Sequence, residues 1–134
     1  MKAMLFSLFF LLIFGFGFAQ NTTSSGLAYE ILKASVGPKP QKGDEVKVKL
    51  MGILEDGTIF QDEAKTSLIV GQPGFLPGFL EAIEILKEGE KGRFVLPPHL
   101  GYGAKGAMDD FEPNTYLVPP NSTIIFEIEL MKIK

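Results

Sequence analysis

The sequence predicts an α+β domain, in which a curled antiparallel β-sheet of about five strands wraps over one short α-helix. Several stretches alternate apolar and polar residues and are separated by short turns. Beyond the N-terminus, only residues 75–89 place apolar side chains at helical spacing. A single short helix cannot bury its own apolar face, so it needs a sheet to lie on. The chain has 134 residues, which is enough for one ordinary domain.

The first 19 residues are predicted to be an export signal peptide. Lys2 precedes a predominantly apolar run, and Gly17 and Ala19 supply the small residues of a cleavage site before Gln20. The alternative is an uncleaved membrane anchor, but the run is a little shorter than the about 20 residues that span a bilayer. We therefore expect an exported protein, periplasmic or secreted, with a flexible tail at residues 20–26 and one domain at residues 27–134.

The composition excludes several classes of function. The absence of cysteine excludes disulfides, thiolate catalysis and cysteine-ligated metals, and one histidine, His99, cannot build a histidine metal cluster. The net charge of −3 comes without a basic stripe, so nucleic acid is not an expected partner. We expect neither a metal nor a cofactor.

Five stretches are predicted to be strands because they alternate apolar and polar residues or are rich in β-branched residues. They are residues 27–35, 45–54, 59–70 with a polar interruption at 62–65, 92–96 and 123–133. The loop at residues 36–43 is rich in proline, glycine and lysine. Asp56-Gly57 predicts a hairpin turn, since both residues tolerate positive φ.

The predicted helix follows this sheet-forming half of the chain. Its inward face consists of apolar residues three or four positions apart, namely Phe79, Ala82, Ile83 and Leu86. Pro77 stands just ahead of the helix start, where its fixed backbone costs least. Gly89 stands where a left-handed C-terminal cap is expected.

Glycine, proline and aromatic residues concentrate at the predicted turns, in residues 71–79, 101–103 and 119–120. No nucleophile with a nearby base, no phosphate-binding loop and no carboxylate cluster accompanies them in the sequence. The pattern favours a site that recognises apolar shape.

Four runs in this order resemble the FKBP-type peptidyl-prolyl isomerases. They are Gly-Ile-Leu-Glu-Asp-Gly-Thr-Ile-Phe at 52–60, Pro-Gly-Phe at 77–79, Leu-Gly-Tyr-Gly at 100–103, and Pro-Pro-Asn-Ser-Thr-Ile-Ile-Phe-Glu-Ile-Glu-Leu at 119–130. The resemblance extends from about Val46 to the C-terminus.

The resemblance implies an aromatic pocket that holds a prolyl ring while the preceding amide rotates. It implies catalytic positions at Phe60, Tyr102 and Phe126. It also implies that the Leu76 amide and the Tyr102 hydroxyl hold substrate carbonyls. The substrate-binding positions that it implies are Gln61, Phe75, Leu76, Phe79 and Leu117.

Some positions depart from the usual family pattern. Gln61 replaces an Asp, Leu50 replaces a Tyr, and Phe79 replaces the Trp of the pocket floor. The loop at residues 107–117 is longer than usual, and its acidic residues are either a solvated loop or a selector of basic client peptides.

The sequence therefore leaves three functions open. The first is a prolyl isomerase that assists the folding of exported proteins, with proline-containing segments as partners and the macrolide inhibitors of the family as ligands. The second is a weakly catalytic or inactive peptide-binding or chaperone module of the same fold. The third is a structural domain tethered to the membrane by a retained leader. A monomer is the expected state.

Overall fold

A six-stranded antiparallel sheet forms one layer of the structure, and one α-helix packs against its inner face. This computed structural model describes residues 20–134, so the predicted signal peptide at residues 1–19 lies outside the described residues. The strands are β1 (Asn21–Thr22), β2 (Ala28–Lys33), β3 (Glu45–Leu54), β4 (Ile59–Ile69), β5 (Lys91–Leu96), β6 (Ala107–Met108), β7 (Tyr116–Val118) and β8 (Ile124–Ile133). Helix α1 spans Pro77–Ile85, and a 3₁₀ turn spans Pro98–Leu100.

The strand order in the main sheet is β1-β2-β5-β8-β3-β4, and every neighbouring pair is antiparallel. Strands β6 and β7 form a separate two-stranded hairpin. The predicted fold class is confirmed, with β1 and this hairpin added to the expected strands. None of the helices in residues 20–134 is long and apolar enough to cross a membrane.

The central strand β8 shows how the sequence alternation builds the two faces of the sheet. Its inward side chains are buried in the core, and they are Ile124, Phe126, Ile128 and Leu130. The intervening carboxylates face outward, where Glu127 lies 3.7 Å from Lys91 and Glu129 lies 3.8 Å from Lys49. Because the two faces differ in polarity, a register shift of one residue would bury these charges.

Helix α1 lies directly on the sheet because Gly78 permits a close approach. A Cβ atom at Gly78 would come within 2.5 Å of Cγ of Leu96 in β5. The helix buries its predicted inward face against the same core.

The helix ends earlier than the sequence predicted, and the predicted glycine cap was wrong. The backbone leaves the helix at Leu86, which has an extended conformation and a fully buried side chain. Gly89 does adopt a positive φ of 90°, but it belongs to the next turn. There the amide of Glu90 donates to the carbonyl of Lys87 at 2.9 Å. Leu86 is thus buried from an extended backbone and not from a further helical position.

The predicted interruption of the third strand was also wrong. Strand β4 continues through residues 62–65 as one strand with two shifts in its pairing to β3. It is the edge strand of the sheet, so these polar side chains remain exposed while the backbone still pairs.

The predicted hairpin between β3 and β4 is confirmed, although only one of its two turn residues has positive φ. Gly57 has φ of 93°, and its amide donates to the Leu54 carbonyl at 3.0 Å. The carboxylate of Asp56 accepts a hydrogen bond from the Thr58 amide at 2.9 Å. This bond holds the pKa of the exposed Asp56 carboxyl below its usual value.

Residues 20–26 do not form the predicted flexible tail. Strand β1 pairs with β2, and the turn between these two strands forms hydrogen bonds to two other elements. The Ser25 hydroxyl donates to Glu81 on α1 at 2.6 Å, and the Ser25 carbonyl lies 2.7 Å from Nε2 of His99. Small polar residues here hydrogen-bond to the fold, which composition alone did not reveal.

Candidate active site

A cavity of about 410 Å³ lies between the start of α1, the first residues of β4 and the turn that follows the 3₁₀ segment. The residues that line it come from β3, β4, α1 with the segment before it, the turn after the 3₁₀ segment, and β8. They are Leu50, Phe60, Gln61, Gly74, Phe75, Leu76, Pro77, Phe79, Tyr102 and Phe126.

Five aromatic rings form the wall and floor of this cavity. The Phe60 ring meets Phe126 at a centroid distance of 5.7 Å and Tyr102 at 6.2 Å, both in edge-to-face geometry. Phe79 meets Phe126 at 6.0 Å and stacks on Phe75 at 5.6 Å. Phe79 and Phe126 are buried and form the floor, whereas the other three rings are partly exposed. Such contacts fix ring positions and leave a concave apolar surface.

The Phe60 ring reaches the cavity because β4 is bulged at this position. Gly52 of β3 faces Gln61, and the next residue, Ile53, already faces Ile59, so Phe60 is the extra residue. A Cβ atom at Gly52 would lie 2.5 Å from the Phe60 ring. The bulge and the missing side chain together aim this ring inward. The sequence prediction missed both features, and the glycine inside an alternating strand was the available signal.

Two hydrogen-bond donors at the cavity have no acceptor within residues 20–134. The half-buried Tyr102 hydroxyl makes no hydrogen bond to another side chain or to the backbone there. Burial raises the pKa of this hydroxyl above its usual value of about 10, so it remains a protonated donor at neutral pH. The Leu76 amide is likewise without a protein acceptor in the described chain, although the Leu76 carbonyl accepts from Leu80 at 3.1 Å.

The rim of the cavity is polar but uncharged. The Gln61 side-chain amide donates to the Asp62 carbonyl at 3.0 Å, and no carboxylate is among the lining residues of the described chain. Gly74 and Pro77 also line the cavity, although they were not predicted as site residues, and so does Leu50, which was noted in the sequence only as a replacement of the family's Tyr. For Leu50 the signal was its place on the inward face of β3.

All the predicted site residues except one are brought together by the fold at this cavity. The exception is Leu117, which lies on β7 and is 41% exposed, while the next residue, Val118, is buried. Alternation along β7 turns Val118 toward the core and therefore turns Leu117 away.

Comparison with known proteins agrees with this geometry. The sequence profile of the family described as FKBP-type peptidyl-prolyl cis-trans isomerase matches residues 37–131. FkpA of Escherichia coli K12, an FKBP-type peptidyl-prolyl cis-trans isomerase, is 35% identical over 120 residues, covering 85% of this chain and 40% of that protein. The probable FkpA of Neisseria meningitidis serogroup B is 38% identical over 115 residues, covering 84% of this chain and 40% of its own. The chain thus spans about two fifths of the length of these relatives.

Solved structures have the same fold. A peptidyl-prolyl cis-trans isomerase from Pseudomonas syringae superposes with a TM-score of 0.72 at 30% identity, covering 86% of this chain and 80% of that one. AtFKBP13 superposes with a TM-score of 0.77 at 26% identity, covering 87% of this chain and all of the other. With the profile match across most of its length, this chain belongs to the FKBP-type peptidyl-prolyl cis-trans isomerase family.

Proposed function

We propose that this protein catalyses cis–trans isomerisation of X–Pro bonds in polypeptide chains. The observation that carries the proposal is the cavity itself, in which five aromatic rings surround a space of about 410 Å³. Family membership supports the same activity. The relatives named above are longer than this chain, and their names state this activity. This chain spans about two fifths of their length, and the activity is proposed for it.

The chemistry needs no reactive side chain. Rotation about an amide has a barrier of about 18–20 kcal/mol because the resonance of the bond must be broken. The twisted amide has less charge separation than the planar one, so a dry aromatic surface favours it relative to water. Phe79 and Phe126 form the buried floor on which the prolyl ring would rest.

In this proposal, Phe60, Tyr102 and Phe126 are the catalytic residues that contact the prolyl ring. The Tyr102 hydroxyl and the Leu76 amide would each donate to a substrate carbonyl, because neither has an acceptor within the described chain. Pinning both carbonyls favours the twisted bond over the planar one.

Further substrate contacts would come from Gln61 at the rim and from Phe75 at the wall. Leu117 is exposed and is not among the residues that line the cavity, so in this proposal it would meet only a longer peptide. The family's macrolide inhibitors are proposed as competing ligands of the same cavity.

The test is the relaxation of a short peptide with one Leu-Pro bond, followed at low temperature with increasing amounts of the purified protein. The relaxation rate should rise in proportion to protein concentration, and a macrolide inhibitor of the family should abolish the increase. Val36→Ser, at a fully exposed position outside the cavity, is the matched control and should retain the rate.

A second candidate function is a peptide-binding module with little catalysis. It is favoured by Gln61 and Leu50, which both line the cavity and supply neither a carboxylate nor a second tyrosine hydroxyl. A relaxation rate equal to that in buffer, in a sample that binds the peptide, would select this candidate.

We further propose that the protein is exported, that cleavage occurs before Gln20, and that the monomeric domain acts on proline-containing segments of exported proteins. The apolar run that follows Lys2, and its small-residue ending, support cleavage. Mass spectrometry of protein recovered outside the cytoplasm should give a mass that begins at Gln20. A mass that includes residues 1–19, recovered from the membrane fraction, would select the anchored alternative.

A further inference from the structure

The hairpin at residues 107–118 exposes an unusual amount of apolar surface. We call it the acidic hairpin; it consists of β6, β7 and their connecting turn. Four of the nine exposed large apolar side chains in residues 20–134 belong to it, and they are Met108, Phe111, Tyr116 and Leu117. Phe111 at the turn is 93% exposed. Several exposed apolar side chains on one short hairpin make it a candidate contact surface, which a single exposed ring would not.

The turn of the acidic hairpin is held in one conformation by its own hydrogen bonds. The Asp109 carboxylate accepts from the amides of Phe111 at 2.8 Å and Glu112 at 3.3 Å. The Asp109 amide donates to the Thr115 carbonyl at 2.8 Å. At the base, Val118 is buried and Ala107 packs on the core. The fold therefore presents the Phe111 ring on a fixed support.

The charge of the acidic hairpin selects the kind of partner. Asp109, Asp110 and Glu112 lie between Ala107 and Val118, with no basic residue in that range. None of the four ion pairs in residues 20–134 includes these three carboxylates. Because the chain as a whole carries −3, a second copy would be repelled, and an anionic lipid surface would be repelled as well. Charge complementarity favours a polypeptide segment that carries Lys or Arg beside a large apolar side chain.

The acidic hairpin is also within reach of a peptide bound in the cavity. Ala107 follows Tyr102 by five residues, so their Cα atoms are at most about 18 Å apart. An extended peptide covers that distance in about five or six residues. A peptide of about 16 residues with its proline in the cavity is therefore long enough to reach the base of the acidic hairpin.

We infer that the acidic hairpin is a docking surface for the client chain and selects segments with Lys or Arg next to a large apolar residue, several residues from the isomerised proline. This inference rests on the proposed isomerase function, since it assigns a client class to the same enzyme. Phe111 supplies the apolar contact, and Asp110 and Glu112 supply the charge preference.

The experiment measures affinity by fluorescence anisotropy for three labelled peptides of about 16 residues. Each has one central Leu-Pro bond and neutral spacers, and its two ends carry Lys-Phe-Lys, Glu-Phe-Glu or Gln-Ser-Gln. The purified protein should bind the lysine peptide about tenfold more tightly than the glutamate peptide, and added salt should reduce this ratio.

Two variants remove the two parts of the surface. Phe111→Ser should weaken binding of the lysine peptide about fivefold, because it removes the exposed ring but keeps the amide bonded to Asp109. Asp110→Asn combined with Glu112→Gln should reduce the tenfold preference to about twofold or less. The matched controls are Val36→Ser and Glu84→Gln, both exposed and outside the acidic hairpin, and they should bind like the original protein.

Isomerisation of a four-residue substrate separates this inference from the proposed function. All variants should keep its kcat/KM within twofold, since none of the substituted residues lines the cavity that holds this short substrate. Absence of that activity in the original protein would refute the isomerase function, while a preference for the lysine peptide that needs Phe111 would still support the docking surface.

Equal affinities for the three peptides, or unchanged affinities in Phe111→Ser, would overturn the inference. If Phe111→Ser instead abolished a concentration-dependent dimer in sedimentation, the surface would be an interface between copies. If it abolished binding to vesicles of phosphatidylcholine with phosphatidylglycerol, the surface would face a membrane.

Discussion

Tyr102 is the polar side chain whose properties are most altered by its place in the cavity wall. Its hydroxyl is half-buried and has no acceptor within residues 20–134, so burial raises its pKa without a compensating hydrogen bond. A neutral donor is therefore available throughout the physiological pH range. The same residue could pack as an ordinary ring, and a substitution that keeps the ring distinguishes the two roles.

Tyr102→Phe should lower kcat/KM for a short X–Pro peptide about five- to tenfold. The variant keeps the edge-to-face contact with Phe60 but loses the hydrogen bond that the Tyr102 hydroxyl would donate to the substrate, which is worth about 1–1.5 kcal/mol. Its unfolding free energy should change little, since the hydroxyl has no partner in the described fold. An unchanged kcat/KM would leave Tyr102 with a packing role only.

The raised pKa of Tyr102 also predicts how stability depends on pH. Folding favours the neutral hydroxyl, so the contribution is fully present below the unfolded pKa of about 10 and is lost as pH rises through the folded value. The unfolding free energy should therefore fall more steeply above pH 10 in the original protein than in Tyr102→Phe. Urea unfolding of both proteins between pH 8 and 11 measures this difference, and parallel curves would contradict it.

Gln61 is the rim residue at which this chain departs from its family. Its side-chain amide donates to the Asp62 carbonyl, and it carries no charge toward the cavity. Gln61→Asp should raise kcat/KM or macrolide affinity about two- to fivefold, because a carboxylate accepts stronger hydrogen bonds from ligand donors. Glu84→Gln on the exposed face of α1 changes the net charge by one unit in the opposite direction and should leave both quantities unchanged. No change in either quantity would mean that position 61 does not limit activity.

At the scale of elements, the bulge at the start of β4 positions the site as much as any side chain does. Gly52 and Phe60 belong to neighbouring strands whose pairing shifts by one residue at this point. The ring of Phe60 occupies the space that a side chain at position 52 would need. The shift in strand pairing therefore also sets the position of the Phe60 ring in the cavity wall.

Gly52→Ala should displace the Phe60 ring and damage both stability and activity. The new methyl group would meet the ring at about 2.5 Å, and relief of such overpacking typically costs about 1–3 kcal/mol. We expect kcat/KM to fall at least fivefold at temperatures where the variant is fully folded by circular dichroism. Gly43→Ala is a useful comparison, since its Cβ would meet no atom within 4 Å and it probes only the cost of positive φ. Equal activity in the two variants would contradict the role given to Gly52.

Sequence patterns predicted the elements whose two faces differ in polarity and missed the features set by tertiary contacts. Strands β3 and β8 alternate clearly because each buries one face, and β3 has the bounds that were expected. Strand β4 is an edge strand, so its polar residues hid its continuity. The early end of α1 left no mark in the apolar spacing, because the buried Leu86 also fits the position of one further helical residue.

The residues of the candidate site were likewise predicted only in part. The rings at positions 60, 79, 102 and 126 were predicted through family resemblance, and the fold places all four at one cavity. Leu117 was also predicted, but strand alternation turns it outward, and a short sequence run gave no sign of that register.

At the scale of the whole molecule, the turn at residues 87–90 joins the ends of several elements. The carboxylate of Glu90 accepts hydrogen bonds from the amides of Lys87 at 2.9 Å and Ser35 at 3.4 Å. The Glu90 carbonyl accepts from Leu130 of β8, and the Glu88 carboxylate accepts from Ile133 at 2.8 Å. The segment after β2, the end of β8 and the segment after α1 are thus held together away from the cavity lining.

Glu90→Gln should therefore lower the stability of the whole domain and leave its catalysis intact. Glu90 is the only buried charged side chain in residues 20–134, and it is 7% exposed. An amide at this position keeps one acceptor oxygen but turns an NH₂ group toward a backbone amide. The loss of a charge-assisted hydrogen bond in a buried place should cost about 1.5–3 kcal/mol.

Urea unfolding of Glu90→Gln measures this cost, with Glu84→Gln on the exposed face of α1 as the matched control. Since Glu90 does not line the cavity, kcat/KM of the folded variant should stay within twofold of the original. Lost activity with unchanged stability would contradict this division, because it would show that the turn shapes the cavity itself.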